Sequence, residues 1–148
     1  MTARSDVIDA IELWARQTLD DNPVVEAIDS EDGDEPWWRV RVRGEDKDVY
    51  TVHYRLRQRT LSYETFFMPE PEDNQARCFG QLLERNASMR LLRFWLGEEN
   101  AVFLGGWSPI TQVDGAHLDE ILGSTYEAVE LCFRSSLRIG FPRLMDTG

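Results

Sequence analysis

Apolar residues recur at intervals of three and four near the start of the chain. This spacing predicts an amphipathic helix over residues 5–20, with Ser5 in position to cap it. Residues 20–35, which follow, include eight acidic side chains and neither Lys nor Arg. Such a composition predicts a solvated connection, with a short extended piece at residues 24–28.

The period of the pattern then changes to two, which is typical of strands with one buried face. Over residues 37–43, Trp38, Val40 and Val42 alternate with Trp37 and three arginines. The same alternation recurs over residues 50–57 and 61–67. Three strands separated by such short turns predict an antiparallel meander.

Two prolines end this meander, because a proline has no amide hydrogen to donate to a central strand. Pro71 is suited to the first turn of a helix, and helical spacing continues from there to Ala87. Residues 91–97 and 101–107 predict a second hairpin. Asp114 is then in position to cap a last amphipathic helix, which ends near Gly140.

The predicted order of elements is therefore α-β-β-β-α-β-β-α. This order predicts the α+β class, with a single antiparallel β-sheet and helices packed on one face. A length of 148 residues with 42% apolar content fits one domain. We expect this domain to cover residues 1–148, with its core at about residues 5–140.

The overall charge narrows the range of partners. The chain has 16 basic and 27 acidic side chains, and its formal net charge of −11 disfavours nucleic acid and anionic membrane surfaces. We expect a cytoplasmic protein, because we find neither a signal-peptide pattern nor an apolar run of about 18 residues. Cys78 and Cys132 lie in helical patterns, as is typical of reduced thiols, and the sequence leaves a disulfide or a redox role open.

Four segments occur in a set order along residues 5–140: Trp38 with its alternating valines, "RTLSYETFFMPEP", "LLERNASM" and "FLGGW". This set is similar to the YbjN family of bacterial proteins, whose members share the fold of type III secretion chaperones. The resemblance implies a noncatalytic chaperone-like or regulatory adaptor, of the kind linked to stress response or sensory transduction. It also implies a protein client and a homodimer, and it carries over no catalytic residue and no cofactor.

The outer face of the predicted sheet concentrates positive charge in an otherwise acidic chain. We expect it to bind the protein partner, since Trp and Arg dominate binding hot spots. The candidate residues are Trp37, Arg39, Arg41, Arg43, Arg55, Arg57 and Trp95. The sequence leaves open a second interpretation, in which the arginines pair with Glu64 or with the acidic residues 29–35.

A stripe of small residues on the middle helix suggests a homodimer interface. Ala76, Gly80 and Ala87 would permit the close approach of a second helix. Glycine in a helix interior lowers the stability of the helix by about 1 kcal/mol relative to alanine. We therefore expect Gly80 to be required by close packing against another part of the protein. In an alternative interpretation, which the sequence leaves equally open, the stripe packs on its own sheet.

The sequence gives only weak indications of a catalytic site. His53 and His117 are the only histidines and do not have metal-ligand spacing, and Cys132 lies on an apolar helix stripe, where buried thiols are usually inert. We therefore predict neither an enzyme nor a metal site. The alternative function is a small-molecule sensor or enzyme with a pocket between sheet and helices, lined by Tyr54, Tyr63, Trp107 and Tyr126.

Overall fold

The structure is a computed structural model that describes residues 3–145. Its helices are α1 (Arg4–Asp21), α2 (Gln75–Asn86), α3 (Gly115–Gly140) and α4 (Pro142–Met145). Its strands are β1 (Val25–Glu31), β2 (Trp37–Arg43), β3 (Val49–Leu56), β4 (Thr60–Met68), β5 (Arg93–Leu96) and β6 (Val102–Pro109).

The strands form one antiparallel sheet in the order β1-β2-β3-β4-β6-β5, which confirms the predicted α+β class. The main difference from the prediction is β1, which replaces most of the expected solvated connection. This strand pairs along β2 from Val25 opposite Val42 to Glu31 opposite Trp37. Acidic side chains on such an edge strand discourage pairing with other molecules.

The helices cover one face of the sheet and bury it. Trp38, Tyr54 and Tyr63 on this face are almost completely buried. The ring of Tyr54 packs edge to face with Trp14 of α1, with 5.5 Å between the ring centroids. Trp14 Nε1 also donates a hydrogen bond of 2.7 Å to Asp119 Oδ1, which joins α1 to α3 above the sheet.

The helix caps follow the sequence at α3 but not at α1. Asp114 Oδ1 accepts a hydrogen bond of 2.8 Å from the backbone amide of His117, which confirms the predicted cap. The prediction for Ser5 was wrong, because α1 begins one residue earlier. Ala3 occupies the cap position there, without a side-chain hydrogen bond.

The proline corner also differs from its prediction. Pro71 lies before α2, which begins only at Gln75. The preceding Asn74 is left-handed, with φ of 54°, and its side-chain amide donates a hydrogen bond of 2.9 Å to the carbonyl of Ile139. The corner is therefore held against the end of α3, so that the helix cannot start at the proline.

Lys47, in the turn between β2 and β3, reaches the end of β4. Its Nζ donates hydrogen bonds of 2.7 Å to the carbonyl oxygens of both Phe66 and Phe67. The same atom lies 5.2 Å from the centroid of the Phe133 ring of α3. Burial of the ammonium group lowers the pKa of Lys47 to about 8, from its ordinary value of 10.5.

This shift predicts a pH dependence of stability. Between about pH 8 and pH 10.5 Lys47 is charged in the unfolded chain but increasingly neutral in the folded protein. The unfolded chain then binds more protons, so the contribution of Lys47 to the free energy of unfolding should rise with pH. We expect a rise of about 2 kcal/mol, less than the full shift implies, because the side chain is only partly buried.

Denaturant unfolding of wild type and Lys47→Met from pH 7 to pH 10.5 tests this effect. The difference between their free energies of unfolding isolates Lys47 from the buried tyrosines and cysteines. The pKa values of those groups are raised by burial, which makes their contributions fall with rising pH. A difference that stays constant across this range would contradict the prediction.

Candidate functional site

The exposed face of the sheet contains a groove of about 460 Å³, called the outer groove below. Strand register arranges its surroundings in three rows that cross the strands. The middle row is Arg39, His53, Glu64, Gly105 and Arg93. One flanking row is Trp37, Arg55, Ser62 and Trp107, and the other is Phe66, Phe103 and Trp95.

The groove forms because small residues lie between rows of large ones. Ser62 and Gly105 contribute little or no side chain near the middle of the face. Gly105 also sets the distance between two strands, because a β-carbon there would lie 2.1 Å from the backbone oxygen of Tyr63. Only glycine lets β6 approach β4 this closely.

One wall of the groove is aromatic. The ring of Phe103 packs edge to face with Phe66 and stacks on Trp95, with 5.8 Å between centroids in each pair. Phe66 is 45% exposed, and Trp107 on the opposite wall is 61% exposed. Contiguous aromatic surface of this kind on an exposed face is typical of a binding site.

Two arginines mark the ends of the middle row within the groove, and beyond Arg39 the row continues to Asp29 of the edge strand β1. Arg39 stacks on Trp37, with its guanidinium carbon 4.1 Å from the ring centroid, which orients both side chains. Arg93 lies at the other end, on the edge strand β5. Within residues 3–145, neither Arg39 nor Arg93 forms an ion pair. Both are therefore free to bind an anionic group.

Two further arginines line the groove beside Arg39. Arg55 and Arg57 each approach Glu35 at 3.7 Å, and all three side chains are about half exposed. Exposed ion pairs at such distances contribute little free energy. A carboxylate from a ligand can therefore compete with Glu35 for these arginines.

The floor of the groove combines a histidine with a carboxylate. His53 lies directly opposite Glu64 on the neighbouring strand. Burial lowers the pKa of His53, as do Arg39 and Arg55, whereas Glu64 raises it. The net shift is downward, so the imidazole is mainly neutral at pH 7 and can both donate and accept hydrogen bonds.

The structure brings together five of the seven predicted partner-binding residues: Trp37, Arg39, Arg55, Arg57 and Trp95. Arg41 and Arg43 lie outside the groove and pair with Glu26 of β1, at 3.2 Å and 2.5 Å. The second interpretation, pairing with Glu64 or with residues 29–35, therefore applies to Arg55 and Arg57, which pair with Glu35, whereas the partner of Arg41 and Arg43 lies outside those residues. This interpretation does not apply to Arg39.

Several groove residues were not predicted as partner-binding, among them Phe66, Arg93, Phe103 and Trp107 of its walls and ends and His53 and Glu64 of its floor. The alternation of "YETFFM" already placed Phe66 on the outer face. Phe103 likewise alternates with Val102 and Leu104, which are fully buried. The alternation of buried and exposed residues could thus have assigned Phe66 and Phe103 to the outer face. It could not have predicted where their strands lie in the sheet.

The predicted pocket between sheet and helices does not form from its four residues. Tyr54 is completely buried, and its ring lies 6.3 Å from that of Tyr63. Trp107 lies on the opposite, exposed face of the sheet, and Tyr126 borders clefts on the helix side. These four side chains therefore share no common cavity.

The small-residue stripe of α2 points away from the sheet. Ala76 and Ala87 are exposed, and a β-carbon at Gly80 would meet no atom within 4 Å. The helix instead buries Cys78 and Leu82. The interpretation that the stripe packs on its own sheet was therefore wrong, and the homodimer interface stays a prediction.

Residues 3–145 include no group of three or more His, Cys, Asp or Glu side chains placed to hold a metal ion. Cys78 and Cys132 are buried free thiols, and burial raises the pKa of each. In the same part of the chain, no helix combines the length and apolar character needed to cross a membrane.

Comparison with known proteins identifies relatives but no family, because no family model matches the chain. An uncharacterized protein of Mycobacterium leprae (strain TN) is 26% identical over 102 residues, which is 69% of this chain and 55% of that protein. Uncharacterized proteins of Mycobacterium bovis and Mycobacterium tuberculosis show the same identity over 56% of their lengths. The chain thus spans about half the length of the curated relatives it matches.

Proposed function

We propose that the protein is a noncatalytic binding module that holds an extended acidic segment of a protein partner in the outer groove. The observation that carries this proposal is the concentration of arginine and aromatic side chains on one exposed face of a chain with a net charge of −11. The arginines are Arg39, Arg55, Arg57 and Arg93, and the aromatic residues are Trp37, Phe66, Trp95, Phe103 and Trp107.

These two kinds of side chain suit a peptide ligand. Guanidinium groups bind carboxylates through paired hydrogen bonds, and aromatic walls offer rigid apolar surface to other side chains. A protein segment can satisfy both. A nucleic acid would meet the arginines but would be repelled by the acidic surface elsewhere, which favours a protein partner.

The proposal is compatible with the resemblance to the YbjN family and to the type III secretion chaperone fold. On that basis we also propose a chaperone-like or regulatory adaptor role, a homodimer and a cytoplasmic location. The groove lies within one chain and does not require the homodimer. Binding by the groove can therefore be tested without knowing the oligomeric state.

Peptide selection on immobilised protein tests the proposed function. We expect wild type to enrich acidic peptides from a displayed library. The double variant Arg39→Glu, Arg55→Glu should bind them about 100-fold more weakly, at about tenfold for each lost contact. Fluorescence anisotropy measures these affinities, which should fall as salt concentration rises.

The matched control is Arg77→Glu. This arginine is exposed on α2, on the helix side of the sheet, and within residues 3–145 it forms no ion pair. Its variant should bind the selected peptides as wild type does. The proposed function fails if wild type enriches no acidic peptide, or if the folded double variant binds as tightly as the control.

A further inference from the structure

The ends of the outer groove are set by the strand order. Arg39 lies on β2 and Arg93 on β5, in the same row of the sheet. Four steps between neighbouring strands separate them, and each step is about 4.8 Å. The backbone positions of the two arginines are therefore about 19 Å apart.

The centre of the groove has the opposite charge. Glu64 on β4 lies two strand steps from each end of the row, between His53 and Gly105. Its carboxylate forms no ion pair within residues 3–145, and His53 beside it is mainly neutral at pH 7. Along the groove the charges thus run positive, negative, positive.

An extended segment can match this order of charges. A strand-like chain advances about 3.3 Å per residue, so about six residues cover the distance between the arginines. Residues separated by an even number of positions point to the same side of an extended chain. Two acidic residues six positions apart can therefore both face the groove and reach its two ends.

We infer that the outer groove selects the spacing of charges in its partner. The preferred segment has two acidic residues six positions apart and, between them near the centre, a basic or neutral residue that faces the groove as they do. This inference rests on the proposed function, since it specifies the ligand of the same groove. An acidic residue at this groove-facing position would lie near Glu64 and weaken binding, although it raises the net negative charge of the segment.

The aromatic wall makes the two ends of the groove different. Phe66, Phe103 and Trp95 lie on β4, β6 and β5, so they flank only the half of the groove that ends at Arg93. The segment should therefore carry an apolar side chain in the half that lies next to Arg93. Either chain direction can satisfy this arrangement.

Three labelled peptides test the inference by fluorescence anisotropy. The first has glutamates at its first and seventh positions, lysine at the third and phenylalanine at the fifth, so that all four side chains can face the groove. The second has the same composition with the two glutamates adjacent, and the third replaces the groove-facing lysine by glutamate. We expect the first peptide to bind wild type at least about tenfold more tightly than either of the others, because each of those loses a matched contact.

Exchanging the charges of Arg93 and of the peptide's terminal residue tests whether Arg93 binds one end of the segment. Arg93→Glu should weaken binding of the first peptide about tenfold, and replacing either terminal glutamate of the peptide by lysine should weaken binding to wild type. One of these lysine peptides should regain affinity for Arg93→Glu, whereas Arg77→Glu should behave as wild type throughout. Circular dichroism establishes that each variant is folded.

The outcomes separate the two proposals. If the first two peptides bind wild type equally, and both lose affinity for Arg39→Glu, Arg55→Glu, the spacing inference is overturned and the proposed function stands. If none of the acidic peptides binds wild type, both proposals fail. Tighter binding of the third peptide than of the first would overturn the role given to Glu64.

Discussion

A Gly105→Ala variant is expected to lose about 3 kcal/mol of its free energy of unfolding. The added β-carbon would lie 2.1 Å from the backbone oxygen of Tyr63 and 2.7 Å from the α-carbon of Glu64. Both atoms belong to the backbone of β4, so no side-chain rotation can relieve the contact. Strand β6 would have to move away from β4 and weaken the hydrogen bonds between them.

Urea unfolding measures this loss, and Gly123→Ala provides the control. Gly123 lies within α3, where a β-carbon would meet no atom within 4 Å. Alanine there should raise the free energy of unfolding by about 0.5–1 kcal/mol, because glycine is unfavourable inside a helix. A Gly105→Ala protein as stable as wild type would contradict the close pairing of β4 with β6.

A Phe67→Ala variant is expected to lose about 3–5 kcal/mol of its free energy of unfolding. Phe67 is completely buried on the helix side of the sheet. Its ring packs edge to face with Phe94 of β5 and Phe133 of α3, with centroids 4.9 Å and 5.7 Å away. Removal of the ring leaves a cavity where β4, β5 and α3 meet.

The neighbouring residue gives a matched control, because alternation puts it on the other face of the same strand. Phe66 is 45% exposed in the outer groove, so Phe66→Ala should lower the free energy of unfolding by less than about 1 kcal/mol. It should nevertheless weaken binding of acidic peptides that carry an apolar residue. Equal losses of stability in the two variants, measured by urea unfolding, would contradict the assignment of faces.

Period-two alternation predicted β2, β3 and β4 because each has one buried and one exposed face. The same argument could not find β1, since only Val25 of this edge strand is buried and the remaining side chains are partly or fully exposed. Its acidic residues led instead to the prediction of a solvated connection. Only pairing with β2, a tertiary contact, makes this segment a strand.

The candidate site was also predictable only in part. Outward positions on β2 and β3 identified the arginines, but the sequence could not tell which of them have acidic partners. That depends on β1, which places Glu26 beside Arg41 and Arg43. The aromatic wall depends on the position of β6 between β4 and β5, which local patterns do not specify.

The strand order also affects how the chain assembles during synthesis. Strands β1 to β4 leave the ribosome before β6, so the edge of β4 that β6 later covers must wait for residues 102–109. An unpaired strand with an apolar face is a surface to which other nascent chains can add. Slow translation between residues 69 and 101 would prolong this exposure and favour aggregation, whereas rapid translation of that segment would protect the nascent chain.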